Sequence, residues 1–522
     1  MINLYYKTPN SEYEECYYIQ FLDESNEYER ITVIDSLKLI LETLNYDISD
    51  TPFLEENVIE FGPKLSFETP WCSNMKEIFK NCNLNIIKRI EKSKRVNKFS
   101  PIFNKEYDPM TQMIYQNPLT SFEQDINNIH QLHIVNLNEE NRVKYCIDPF
   151  VFKYYQDIFK DKQVNNIELF DLAQSNSEHS RHWFFNSTIS LLNNKNQLFY
   201  QLDKSLFEMV KNTNNEYTNS LVAFKDNASA INGFSITKLL TNNKHQSSSY
   251  RDHHYICHLT HNAETHNFPT CISPFPGAAT GVGGRIRDTI CIGKGGGFIS
   301  GIAGYSVGDI DNTEFEYPYD HPKKLLIEAS NGASDYGNKI GEPITQGFTR
   351  SFGMSINDTH YEYIKPIMYS ASNGYIYEHN LEKDIPQYGD LIVRVGGPAY
   401  SIGLGGGAAS SQDQDEHKTN YNAVQRGNPE MENKAYKFLK ACFEMPKNPI
   451  ISLHDQGSGG MANVIKEIVS PAGGSVFLNK VNLGQDNMTD FEIWNAEYQE
   501  QCCFITKNEK YNLILLKRIA RR

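Results

Sequence analysis

Apolar and polar positions follow two periods along this chain, and the change of period marks its organisation. In residues 31–44 (ITVIDSLKLILETL) apolar side chains recur at helical spacing, which predicts a helix, and residues 17–22 read as a strand. Residues 67–96 carry a second helical pattern, MKEIFK followed by LNIIKRIEK, so the first 150 or so residues read as an accessory α/β domain. Residues 167–173 (IELFDLA) predict a helix that leads into QSNSEHSRH. The Asn-rich patches at 193–196 and 212–219 and the polar run at 241–249 read as solvated loops. From residue 255 onward, strand-like runs at 255–259, 289–293, 298–302 and 324–329 alternate with glycine turns. Past residue 389 a second α/β unit is expected. It has a strand at 390–395, a helix at 430–442, a strand at 450–453 and a helix starting near Met461.

Composition narrows the class. The 522 residues include 50 Lys+Arg against 64 Asp+Glu, a net charge of −14, with 39% hydrophobic and 12% aromatic residues. That hydrophobic content supports several buried cores and excludes a wholly disordered chain. A mean hydropathy of −0.53 and the lack of a long apolar run exclude a membrane-spanning helix. The acidic balance argues against a general nucleic-acid binder. Residues 1–10 show no secretory pattern, and the ten cysteines form no CxxC pair, so a reducing, cytoplasmic setting is expected.

Several constellations carry candidate chemistry. In Glu264-Thr265-His266-Asn267-Phe268 a carboxylate and an imidazole stand two residues apart after a strand, where they would face one side. They would address one cleft, Glu264 a metal and His266 a reacting group; a surface loop with an ordinary histidine fits the same spacing. The run Gly277-Ala278-Ala279-Thr280-Gly281-Val282-Gly283-Gly284-Arg285-Ile286-Arg287-Asp288 combines close glycines, two guanidinium groups and a hard carboxylate. Turns of that kind bring backbone N–H groups to phosphate oxygens, and the carboxylate suits Mg²⁺. No GxxxxGK[ST] occurs, so it is not a P-loop. Asp455, in LHDQGSGG, follows a strand and precedes a glycine turn, where α/β ligand sites lie and where an aspartate also caps a helix. His179 and His182 would share a helix face; a zinc reading lacks HExxH and cysteine companions, and most such pairs are structural or solvent-exposed. The glycines at 396–407 only loosely resemble a dinucleotide fingerprint.

Read in order, LFDLAQSNSEHSRHWFF, AETHNFPT, PFPGAATGVGGRIRD, SNGASDYGNKIGEP, GFTRSFG, VRVGGPAYSIGLGGGAASS, NAVQRGNPEME, SLHDQGSGG and EIWNAEYQE resemble the large, glutamine-dependent phosphoribosylformylglycinamidine synthases of purine biosynthesis. The motifs span about residues 165–500; residues 1 to about 150 match only in position. The resemblance implies an α/β (α+β) fold. It would have an accessory domain at 1–155, a short helical linker domain at 160–217, an aminoimidazole ribonucleotide synthetase-like ATP-binding domain at 218–385 and a synthetase-like C-terminal lobe at 389–522. It implies an ATP- and Mg²⁺-dependent C–N ligase that converts formylglycinamide ribonucleotide, with ammonia, to the amidine. Glu264, Asp288 and Asp455 would hold Mg²⁺, and His179 and His266 would be catalytic. Residues 277–288 and His182 would bind ATP, and Thr265, His266, Asn267, Phe268, Arg287 and Gln425 the ribonucleotide.

The departures from the family pattern are specific. Asn262 stands where shorter relatives carry an ATP-contacting lysine, and a glycine-rich turn reads here as Tyr369-Ser370-Ala371-Ser372-Asn373-Gly374. The family's second synthetase half and its glutaminase are not found, nor is a GxCxG nucleophile turn. A separate glutaminase or second-half chain is therefore the expected partner, and an exposed apolar face with dimerisation or instability is the expected consequence. The alternative is a truncated, catalytically inert nucleotide-binding paralogue or scaffold.

Overall fold

The computed structural model describes all residues except 8–10, 43–46, 66–67, 101, 104–106, 108–111, 123–131, 146, 177–182, 216–217, 313–314, 316, 318, 358, 406–423, 485–487 and 522. The chain divides into two compact units, residues 1–129 with 483–488, and residues 130–482 with 489–522.

The first unit is an antiparallel six-stranded sheet of β1 (Ile2–Lys7), β2 (Tyr13–Phe21), β3 (Asp47–Ser49), β4 (Val58–Pro63), β5 (Ile87–Asn97) and β6 (Gln112–Tyr115), in the order β3-β1-β2-β5-β4-β6. Helix α1 (Glu27–Glu42) covers the predicted periodic run as far as it is described, residues 43–44 lying outside the described residues, and α2 (Pro70–Asn81) begins where the Thr69 hydroxyl accepts the Cys72 N–H. Leu4, Tyr6, Ile19, Val33, Leu37 and Phe79 share its buried core. The second predicted helical pattern holds only as far as Asn81. Residues 87–97 instead form β5, paired on one side to β2 and on the other to β4. A central strand buried on both faces loses its two-residue alternation, and Ile87 and Ile90, three apart, imitate a helix stripe.

In the second unit a capping box closed by Asn165 and Glu168 opens α3 (Asn166–Ser175), which packs with Phe152, Tyr155 and Val164 in a small core of its own. A mixed sheet follows: β7 (Ser220–Val222), β8 (Ser229–Thr241), β9 (Tyr250–Thr265), β10 (Gly297–Val307), β11 (Ile344–Ser351) and β12 (Ile367–Tyr377), in the order β7-β8-β9-β12-β10-β11. Helix α4 (Pro274–Ile290) lies against its inner face, where His258, Thr260 and Asn262 of β9 and Met368, Ser370 and Ser372 of β12 alternate inward. Helix α5 (Pro322–Ile340) makes the crossover between the parallel strands β10 and β11.

Two predicted strands become helix here. Residues 289–293 are the end of α4 and its exit turn, and residues 324–329 lie in α5, where Leu325, Ala329, Ala333 and Tyr336 are buried at helical spacing. Pro322 at the first turn and Gly341, at φ +90°, bound that helix. The run 277–288 is likewise helix, not a set of turns. Its glycines permit close approach: a Cβ at Gly277 would lie 2.3 Å from the Pro269 carbonyl oxygen, and one at Gly281 2.8 Å from the His266 Cβ.

A smaller sheet completes the unit: β13 (Leu391–Gly396), β14 (Ser452–Asp455) and β15 (Gln501–Thr506), in the order β13-β15-β14. It is flanked by α6 (Pro429–Phe443), α7 (Gly460–Ile468) and α8 (Lys510–Ala520). Leu439, Phe443, Leu453 and Phe504 from this lobe join Ile286, Ile290 and Tyr377 in one continuous core. Among the described residues no helix is long and apolar enough to cross a membrane.

Candidate active site

Three carboxylates far apart in sequence meet at the C-terminal end of α4. Glu264 is the next-to-last residue of β9, two positions past the buried Asn262. Asp288 sits in the last turn of α4, and Asp455 is the final residue of β14. Glu264 and Asp288 share a side-chain hydrogen bond. The Asn227 amide joins the other pair, donating to Asp288 Oδ1 at 3.1 Å and to Asp455 Oδ1 at 2.7 Å. Burial and then the neighbouring charge of Asp455 push the Glu264 carboxyl upward, and burial, Asp455 and Glu264 push Asp288 well above the usual carboxylate range. Glu264 keeps a solvent-exposed side that screens its share of this repulsion.

One guanidinium faces this charge. Arg287, 2% exposed, donates to Glu432 at 3.1 Å and to Gln499, while its Nε lies 3.9 Å from Asp455 Oδ2 without a hydrogen-bond partner. Tyr336 donates to Glu432 and, at 2.9 Å, to Glu500. Burial, opposed by Arg287 and reinforced by Glu500, raises Glu432 to about 8. On the other side of Asp455, His454 lies 2.7 Å from Glu467. Burial works against its charge, but Glu467 and Asp455 hold the imidazole up to about 9.

The predicted residues separate into groups. His266 follows the last residue of β9 and addresses a different stretch of α4 from Glu264. Its Nδ1 donates to the Gly277 carbonyl at 2.5 Å. Gly277 and Asp288 are eleven residues apart, about 16 Å along a helix axis, so His266 and Glu264 bond to different stretches of α4. Asn267 accepts from the Met368 N–H at 3.0 Å, Phe268 is buried, and Thr265 is exposed. Gln425 donates to Glu497 in the second lobe. Residues 277–284 commit their backbone N–H groups to the helix, so the expected phosphate-cradling turns are not formed. Arg285, fully buried, donates from Nη1 to Glu342 and from Nε to Ser370 at 3.0 Å, leaving Nη2 without a hydrogen-bond partner. Asn262 donates to the Arg285 carbonyl at 2.9 Å. His179 and His182 lie outside the described residues.

Sequence reading missed Asn227, Tyr336, Glu432, Glu500 and the part played by His454. All but Asn227 stand inside quoted motifs, so a signal was present without a role; Asn227 carried none. Also missed was a cavity of about 480 Å³ between α5, β10 and β11, lined by Tyr305, Ser330, Ser334, Gly347, Phe348 and Thr349.

No cation is needed to see that the site suits one. Clustered hard carboxylate oxygens, with the proton affinity of Glu264 and Asp288 raised, faced by an arginine with an unspent donor, match the ligand preference of Mg²⁺. Among the described residues, however, no three His, Cys, Asp or Glu side chains already stand at metal-shell spacing.

Comparison with known proteins shows what the chain is similar to. Residues 14–133 match the formylglycinamide ribonucleotide amidotransferase N-terminal domain, and residues 387–517 the C-terminal domain of AIR synthase related proteins. The phosphoribosylformylglycinamidine synthase of Dictyostelium discoideum is 40% identical over 98% of this chain and 41% of that protein. Nearly end to end, the chain is similar to the N-terminal part of these synthases. The human synthase is 36% identical over 95% of the chain and 40% of its own length. The chain thus spans about two-fifths of the relatives it matches. A solved structure described as T. maritima PurL complexed with FGAR shares the fold, with a TM-score of 0.50 at 20% identity over 71% of this chain and 50% of that one.

Proposed function

We propose that the chain is the ATP- and Mg²⁺-dependent synthetase part of a phosphoribosylformylglycinamidine synthase, acting in purine biosynthesis. The observation that carries this reading is the convergence of Glu264, Asp288 and Asp455, from β9, α4 and β14, on one locus with Arg287 beside it. Phosphoryl transfer asks a protein for positioning and charge neutralisation rather than covalent chemistry. The γ-phosphoryl group of ATP passes to the amide oxygen of formylglycinamide ribonucleotide, releasing ADP; ammonia then adds to the amide carbon and phosphate leaves. Glu264, Asp288 and Asp455 would hold Mg²⁺, which when bound neutralises phosphate charge. With its proton on Nδ1, held by Gly277, His266 presents Nε2 as the nitrogen able to take a proton from the incoming ammonia. The 480 Å³ cavity, with the rings of Tyr305 and Phe348 on its wall, has the size and aromatic lining for a nucleoside.

Ile231, Phe234 and Leu259 are exposed on the sheet face that carries the paired positions Ile231–Leu259 and Phe234–Cys257. A second-half chain is the partner proposed for that face, and a glutaminase the proposed source of ammonia. A second reading, nucleotide binding without turnover, is favoured by the lack of a preformed metal shell among the described residues. The test is to incubate the purified chain with ATP, Mg²⁺, formylglycinamide ribonucleotide and ammonium, and to measure ADP. Substrate-dependent ADP that falls at least ~100-fold (~2.7 kcal/mol of transition-state stabilisation) in Asp288→Asn supports the ligase. Nucleotide binding without ADP supports the second reading.

A further inference from the structure

Asp288 and Asp455 belong to different lobes of the second unit, 167 positions apart, and two like charges brought together by folding repel. One side chain lies between them. The Asn227 amide donates one N–H to each carboxylate, at 3.1 and 2.7 Å. The geometry is chemically directed, because only the NH₂ end of an amide donates to two acceptors at once. Its backbone is tethered as well. The preceding Asp226 accepts the Asn227 N–H at 2.9 Å, the Gly293 N–H at 3.0 Å and the Lys383 ammonium at 2.7 Å. Gly293 lies three residues past the end of α4, so the tether fixes Asn227 near the helix end that presents Asp288. The buried Arg287 Nε, lacking a hydrogen-bond partner 3.9 Å from Asp455, points independently at the same locus.

We infer that Asn227 is a positioning residue for the cation site. Its amide holds the carboxylates of the two lobes at one locus while no cation is bound, so that a cation has only to draw them in. This rests on the Mg²⁺ reading of the site. No covalent step is involved.

The experiment measures Mn²⁺ binding to the 522-residue chain by electron paramagnetic resonance, and the Mn²⁺-induced shift of the melting temperature, for wild type, Asn227→Leu, Asn227→Asp and Asp288→Asn. Leucine keeps the approximate size of asparagine and loses the amide; it is expected to weaken Mn²⁺ at least tenfold. Aspartate adds a third charge to the pair. The free Asn227→Asp chain is expected to melt lower than wild type, and its Mn²⁺-induced shift to be larger, a pattern that simple loss of packing does not produce. If Asn227→Leu fails to fold, this aspartate pattern carries the test. Mn²⁺ affinity within twofold of wild type in Asn227→Leu, or an Mn²⁺-induced shift in Asn227→Asp no larger than wild type, overturns the inference alone. Wild type binding Mn²⁺ no more tightly than Asp288→Asn overturns the cation reading, and the inference with it.

Discussion

The two ends of α4 solve different problems with one helix. Toward its start, Gly277, Gly281 and Gly283 remove side chains so that the Pro269 carbonyl, the His266 ring and the Tyr336 ring can approach the backbone. Toward its end, Arg285, Arg287 and Asp288 carry charge into a buried setting. The first end is decided by shape and the second by electrostatics. Even the two arginines differ. Arg285 is paired with Glu342 in the core, whereas Arg287 faces several acidic groups, and each keeps one guanidinium nitrogen without a hydrogen-bond partner. A helix thus carries a structural guanidinium and a site guanidinium two residues apart, distinguished only by what packs around each.

The comparison breaks first at the sealed pair. Glu342→Ala leaves the Arg285 charge buried without its carboxylate, and the expected loss is about 3–5 kcal/mol, read from urea midpoints. An effect below ~1 kcal/mol would show that Arg285 is not sealed. At the shape-driven end, Gly277→Ala forces a Cβ against backbone that cannot rotate away, with an expected loss of about 1–3 kcal/mol by the same assay. At the charged end the sign reverses. Asp288→Asn removes one of the mutually repelling carboxyls, so the mutant is expected to melt higher than wild type at pH 7 without Mg²⁺ and to gain less from added Mg²⁺.

The smallest effect is a slope with pH. Glu432, held at about 8, keeps its proton in the folded chain when an unfolded glutamate has lost it. Its contribution to stability is therefore present below about pH 4.5 and lost as pH rises toward 8. Glu432→Gln should flatten the melting-temperature profile across that window; a profile unchanged from wild type would remove Glu432 from the electrostatic account.

Much of this was legible in the chain. The helix at 31–44, the strand at 390–395 and the helix at 430–442 show clear periods, and each appears within a few residues of its expected place. Where runs were buried on every side, as in β5 and the glycine-rich α4, local pattern misled. A central strand loses its alternation, and glycines that serve close packing look like turns. The chemistry-bearing residue types at 264, 288 and 455 stood out because short motifs surround them. Asn227 did not, because an asparagine in a polar loop resembles any other until its partners are known.

Sequence alone determined the order of the main elements, the kinship to the synthases, and which carboxylates to watch. Tertiary structure decided that those carboxylates share one locus, that His266 stands at another station of the same helix, and that Asn227 bridges the lobes. The physical reason is that periodicity and motif chemistry are local, whereas repulsion between buried charges and the hydrogen bonds that offset it exist only once distant segments have packed.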